Sequence, residues 1–214
     1  KKERLYKTLY VLVGAIIINL FIFYFFENYG FYVNLILITA TFLVLHSVLD
    51  AKKSFKSKKK FEFSRIISHL GFGLLVFFIG VNHQHSVEID FNLKTGQKKK
   101  LDNYEIYFEN VSIEQNKNYK SVIGRFEIIE LKNKNIQYLS PEIRIYTNPE
   151  TLTYEAAIKT RINSDLYLTM SNVSRSDFYN IKFQNKPLMI WVWISAFIIA
   201  LGGLIQFIQK KNEN

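Results

Sequence analysis

The chain is predicted to be a membrane α-helical protein with four transmembrane helices and an inserted all-β antiparallel outer domain, a sandwich or an open barrel. Three observations predict this class. Four apolar runs of spanning length, or close to it, contain no Asp, Glu, Lys or Arg. Between the third and fourth runs, Val87 to Phe183 alternates apolar and polar positions as strands do. The positive charge outside residues 83–187 is confined to three short pieces, which all fall on one side if the four runs span.

The first run, Thr8 to Phe26, is too long for a signal peptide, and no small-residue cleavage site follows it. A tiny outer turn, Glu27 to Gly30, joins it to the second run, Phe31 to Leu49. A basic loop follows from Asp50 to Arg65, with Lys52, Lys53, Lys56, Lys58, Lys59 and Lys60. This lysine run reads as a juxtamembrane loop that sets topology and meets anionic lipid, rather than as a nucleic-acid patch. No nucleic-acid partner is expected. The third run, Ile66 to Val81, is short for a span and implies tilt-free packing or help from Arg65 and Asn82. The fourth, Leu188 to Ile208, follows Asn185 as a candidate cap and Pro187 in the first turn, with Trp191 and Trp193 near an interface. The organisation is thus 1–82 (three helices with the basic loop 50–65), 83–187 (the β domain) and 188–214 (last helix and tail).

Charge orients these elements. The chain has 28 Lys and Arg against 18 Asp and Glu; residues 83–187 hold 15 and 13 of them and are nearly neutral. The other cations lie in Lys1 to Lys7, Asp50 to Arg65 and Gln209 to Asn214. The positive-inside rule puts all three pieces in the cytoplasm and the β domain on the outer, periplasmic side.

Within the β domain, Tyr104–Phe108, Val122–Ile129, Glu142–Tyr146 and Asp165–Met170 read as strands, separated by Thr95-Gly96, Asn116 to Asn118, Lys132 to Asn135 and Asn148-Pro149. Glu150 to Lys159 reads equally well as a short helix or a strand. A segment of this size can hold one core, and spaced strands argue for a sandwich or open barrel. No cysteine is present, which excludes a disulfide scaffold, thiol exchange and thiolate metal binding. No catalytic constellation is seen. His83 and His85 have a spacing that can bind metal but lack a third ligand, and read as a solvated loop. Asn110-Val111-Ser112 and Asn172-Val173-Ser174 match a glycosylation pattern that is frequent by chance.

His69 is the most informative residue. It stands about a turn inside the third run, where an imidazole is costly to bury and usually has a partner. A haem iron is one candidate, because a neutral ring nitrogen is a good axial ligand. Gly73, four residues on, shares its helix face, and Gly80 returns near it. Glycines there leave room for a flat macrocycle or equally for a neighbouring helix. His46 competes as a second ligand within the chain. It lies four residues before Asp50, as His69 lies four after Arg65, so antiparallel helices put both about 6 Å inside their ends. Neighbouring axes are about 8–10 Å apart. Otherwise His46 is a hydrogen-bonded or headgroup-facing histidine.

Ser64-Arg65, Ser68-His69-Leu70-Gly71 and Gly80 are followed by Asn118-Tyr119, Pro141-Glu142, Arg144, Tyr146 and Tyr154-Glu155-Ala156-Ala157-Ile158. Asp165-Leu166-Tyr167, Pro187, Trp191-Val192-Trp193 and Gly202-Gly203 complete the series. In this order they resemble the C-terminal part of the CcmF family, the membrane haem lyase subunits of cytochrome c maturation. The resemblance implies haem b as cofactor, with His69 as its axial ligand through the haem iron. It departs at Ser68, where the family pattern leads one to expect alanine. The family's tryptophan-rich outer segment, its two flanking outer histidines and its other b-haem ligand belong to the N-terminal half and have no match here. The chain is therefore expected to be a fragment or one product of a split gene, and not catalytically complete alone.

The partners implied are membrane lipid, the N-terminal half of the same protein, other cytochrome c maturation proteins, a haem chaperone and apocytochrome c. The location implied is the bacterial inner membrane, or the mitochondrial inner membrane for an organelle-encoded chain. A membrane-anchored β-domain scaffold that docks partners without haem is the alternative. An accessory subunit of a transporter or secretion machine is a third reading. With both ends cytoplasmic, a reporter fused after Asn214 should be active only in its cytoplasmic form; periplasmic activity would reverse the topology.

Overall fold

The computed structural model describes residues 2–25, 30–57, 62–173 and 177–211. Most of the expected turn at Glu27 to Gly30, the lysines Lys58 to Lys60 and Ser174 of the second glycosylation pattern lie outside the described residues. Two compact units are present: Lys1–His85 with Pro187–Asn214, and Ser86–Lys186.

The first unit holds α1 (Lys2–Phe25), α2 (Phe31–Ser57), α3 (Glu62–His85) and α4 (Met189–Lys211). All four are long and apolar enough to cross a membrane, over Leu5–Tyr24, Phe31–Ser54, Phe63–His85 and Met189–Gln209. The third helix is thus longer than its apolar run, because Ser64, Arg65 and Asn82 to His85 continue the backbone hydrogen bonding. His83 and His85 stand in its last turn, not in a loop. Asn185 does not cap α4: it is paired with Val87 in a strand that runs to Pro187. Leu188, at φ 57°, makes the break before the helix.

Successive helices run antiparallel, and small or polar residues set each register. Asn19 of α1 donates its Nδ2 hydrogens to the Ala15 carbonyl at 2.8 Å and to Thr41 Oγ1 of α2 at 3.0 Å. A side-chain amide between membrane helices favours such a partner over hydrocarbon. Between α2 and α3, a Cβ on Gly73 would stand 2.9 Å from Val44 Cγ2 and 3.3 Å from the Ala40 carbonyl oxygen, and one on Gly80 would stand 3.1 Å from Leu37. Between α3 and α4, a Cβ on Gly71 would meet Ile199 at 2.9 Å, and one on Gly202 would stand 2.8 Å from the Ser68 backbone nitrogen. Ser64 Oγ donates to the Gly202 carbonyl at 2.7 Å, and Asn82 Nδ2 donates to the Pro187 carbonyl at 2.6 Å.

The second unit is antiparallel throughout its described pairings. Its strands are β1 (Val87–Leu93), β2 (Lys98–Lys100), β3 (Tyr104–Gln115), β4 (Tyr119–Glu130), β5 (Asn135–Leu139), β6 (Glu142–Thr147), β7 (Glu150–Glu155), β8 (Ala157–Lys159), β9 (Ser164–Asn172) and β10 (Tyr179–Pro187). One sheet has the order β1-β10-β9-β8, and the other β2-β3-β4-β6-β7 with β5 also on β4. The ambiguous segment from Glu150 is strand, β7 against β6 and β8 against β9. Alternation delivers the core: Tyr104, Ile106 and Phe108 from β3, Leu166, Leu168 and Met170 from β9, and Ile181 and Phe183 from β10 are all buried. Phe108 stacks on Phe126, its register partner, at 4.2 Å between ring centroids. Gly124 lets the sheets close, since a Cβ there would stand 2.7 Å from Met170 Sδ.

A polar network sits on β4, β6 and β7, off this core. Register puts Tyr119 opposite Tyr146, Ser121 opposite Arg144, and Glu142 opposite Glu155. Glu142 Oε2 accepts from Arg144 Nε and from Ser121 Oγ, each at 2.8 Å. Arg144 lies over the Tyr119 ring at 5.1 Å and reaches Glu155 at 4.0 Å. The hydrogen bond from Arg144 holds the Glu142 carboxyl below its ordinary value of 4.5; partial burial opposes this, and Ser121 and the guanidinium charge assist it. A depressed folded-state pKa adds stability above the unfolded value, and that stability is lost as pH falls through the folded value. The network therefore weakens in acid, below about pH 4.5. Hydrogen exchange of the β6 amides should speed up as pH drops through this window, after correction for intrinsic rates. Glu142→Gln should flatten that dependence, at a cost of about 1 kcal/mol or less for a partly exposed pair; an unchanged profile would remove the network from the acid response.

Candidate functional site

The site is built on α3, and the packing of α3 decides which side chains remain open. Ile66, Gly73 and Gly80 lie on one side of the helix; the two glycines meet α2. Ser64, Ser68, Gly71 and Asn82 lie on the opposite side; the first three meet α4, and Asn82 bonds to Pro187 just before it. Between these faces runs an exposed stripe at helical spacing: Arg65, His69, Phe72 and Ile79, with His83 at the far end.

His69 is exposed on this stripe, and no hydrogen bond or ion pair is found for it among the described residues. Gly73 is its neighbour one turn on, but the space that Gly73 frees is filled by Val44 and Ala40 of α2. The geometry at Gly73 is that of close helix packing. The open side of His69 is the one it shares with Arg65 and Phe72. An open imidazole nitrogen on a membrane helix suits an axial ligand, since haem iron takes a neutral ring nitrogen. The residues present therefore fit a haem reached from the uncovered side.

His46 has different surroundings. Its Nδ1 lies 3.4 Å from Asp50 Oδ2, one turn away on α2. Its ring is 6.0 Å from that of Phe42. It lines a cavity of about 410 Å³ with residues from α1 and with Arg65, and His69 is not among the lining residues. His83 and His85, two apart on a helix, project in different directions. No group of three or more His, Asp or Glu that could hold a metal is found among the described residues.

The β domain holds a constellation that sequence reasoning passed over. Tyr119, the stretch holding Glu142, Arg144 and Tyr146, and Glu155 lie apart in sequence, yet they meet in the polar network on β4, β6 and β7. The signal was available: Glu-x-Arg-x-Tyr in one strand puts three functional side chains on one face. What was lacking was the partner strand that supplies Tyr119 and Ser121.

Known proteins share these features in part. Residues 84–187 match the family described as the CcmF C-terminal beta-sandwich. The chain is 29% identical over 147 residues to the cytochrome c-type biogenesis protein CcmF of Haemophilus influenzae, covering 68% of this chain and 22% of that one. It is 26% identical over 145 residues to the CcmF of Pseudomonas fluorescens, with the same 68% and 22% coverage. A solved structure titled Cytochrome c Heme Lyase CcmF matches with a TM-score of 0.76 at 13% identity, over 94% of this chain and 34% of that chain, and supports the fold. The chain thus spans about a fifth of the length of these curated relatives. The β-sandwich segment matches that family model and the whole chain matches that solved structure in fold, so the chain is similar to the C-terminal part of CcmF proteins.

Proposed function

We propose that this chain forms the C-terminal portion of a membrane haem lyase subunit in cytochrome c maturation, with His69 as an axial ligand of a b-type haem. One observation carries the reading: an imidazole without a partner among the described residues stands on the exposed face of a membrane helix, beside Phe72. Such a group is costly in hydrocarbon and marks a functional contact. When bound, the haem supplies an iron centre whose potential the axial ligands and their surroundings tune. His69 would hold the iron through a neutral ring nitrogen. In this reading a second ligand would come from outside this chain, which the exposure of the stripe bearing His69 among the described residues supports. His46 is the in-chain competitor, at matching depth by helix register but engaged with Asp50.

The basic ends of the helices face the cytoplasm in this reading, and the β domain faces the outer side of the inner membrane. There it docks haem-delivering or apocytochrome-handling partners, with the Glu142–Arg144 network on its surface. The names of the relatives, which are cytochrome c biogenesis proteins, support this role.

In the assembled complex, His69→Ala should lose the b-haem Soret band and His46→Ala should retain it. A full b-haem spectrum in His69→Ala would overturn the assignment; loss in both variants would make His46 the second ligand. Replacement of Val87 to Phe183 by a short linker should abolish cytochrome c maturation, and intact maturation would end the docking role.

A further inference from the structure

We propose that the cavity at the basic end of α1, α2 and α3 is a binding site for the headgroup of an anionic phospholipid. The cavity has a volume of about 410 Å³, within the range of small-molecule sites. Three helices each contribute a permanent cation to its lining: Lys7 from α1, Lys53 from α2 and Arg65 from α3. Asp50 is the carboxylate among the described lining residues, with His46 Nδ1 at 3.4 Å and Lys53 Nζ at 3.8 Å. Among the described lining residues, three cations stand against one carboxylate, an excess of positive charge around one small space. Like charges gathered in this way favour an anion between them.

The depth profile selects a lipid over a soluble anion. Val11 stands one turn inward from Lys7, and Leu49 one turn inward from Lys53; both line the cavity. The lining therefore passes from cationic at the helix ends to apolar toward the spans Leu5–Tyr24 and Phe31–Ser54. A phosphodiester with an acyl tail matches both halves. The planar fork of Arg65 suits two phosphate oxygens at once, and basic pockets between membrane helices take anionic headgroups by this chemistry. A free phosphate shares the headgroup chemistry but leaves the apolar half unused. The site does not rest on the haem assignment, because His69 does not line the cavity.

Native mass spectrometry of the full chain, released from nanodiscs of phosphatidylethanolamine and phosphatidylglycerol, tests the site. Phosphatidylglycerol should be retained in preference to phosphatidylethanolamine. Lys53→Gln and Arg65→Gln should each reduce that retention about fivefold, matching the roughly 1 kcal/mol contributed by a basic residue beside anionic lipid. Lys52→Gln, next in sequence but not lining the cavity, should leave it unchanged. High salt should displace the lipid from the unaltered chain, a readout independent of whether the variants fold. Equal retention of the two lipids, or equal loss in Lys52→Gln, would overturn the proposal. Displacement by millimolar inorganic phosphate at constant ionic strength would assign the cavity to a free anion and overturn the lipid.

Discussion

The helical unit depends on the close approach of α3 to two neighbours at once. Helices in lipid gain no hydrophobic drive from association, so contact must come from surfaces that let backbones near each other. On one side Gly73 and Gly80 admit α2; on the other Gly71 and Gly202 bring α3 against α4, where Ser64 donates to a backbone carbonyl. A β-carbon at Gly202 would stand 2.8 Å from a backbone nitrogen, which no side-chain rotation relieves. Two faces of α3 are thereby consumed. What remains is the stripe of Arg65, His69 and Phe72, so the openness of the histidine is a product of glycines that never touch it.

The polar residues inside the spans follow the same division. Asn19, Thr41 and Ser64 are buried and bonded within or between helices. His69 differs from these three in both burial and bonding. A polar group that packing does not absorb is a stronger functional indication than a polar group as such.

Much of this was legible from the chain. Apolar runs located all four helices, since length and hydropathy suffice in a membrane. Their ends were less legible. The helix α3 extends beyond Ile66 to Val81 because helical hydrogen bonding does not stop where hydropathy does. Asn185 and Pro187 carried the signals of a helix start, but pairing of Asn185 with Val87 overrides the local preference. Lys98–Lys100 forms a strand only because β3 offers an edge, and three exposed lysines give no alternation to read. His69 stood out by chemistry alone. Gly73 seemed to belong to the same face, yet the small angular offset between positions four apart puts one in the open and the other against α2. One face of the Glu142 network could be read from Glu-x-Arg-x-Tyr, but Tyr119, Ser121 and Glu155 are brought to it by strand register over a distance in sequence.

The pairing of β1 with β10 sets an order of events during synthesis. The first strand of the β domain lies at the edge of its sheet, and its neighbour there is the last. Val87 finds Asn185 only when nearly the whole domain has been made, and α4 begins at Met189, just beyond the closing strand. The first strand thus waits unpaired through translation of everything between, with the loop-closure entropy of the longest pairing in the domain. Its exposed backbone is open to mispairing or to a chaperone for that interval. Completion of the sheet and emergence of the final membrane segment from the ribosome are therefore nearly simultaneous.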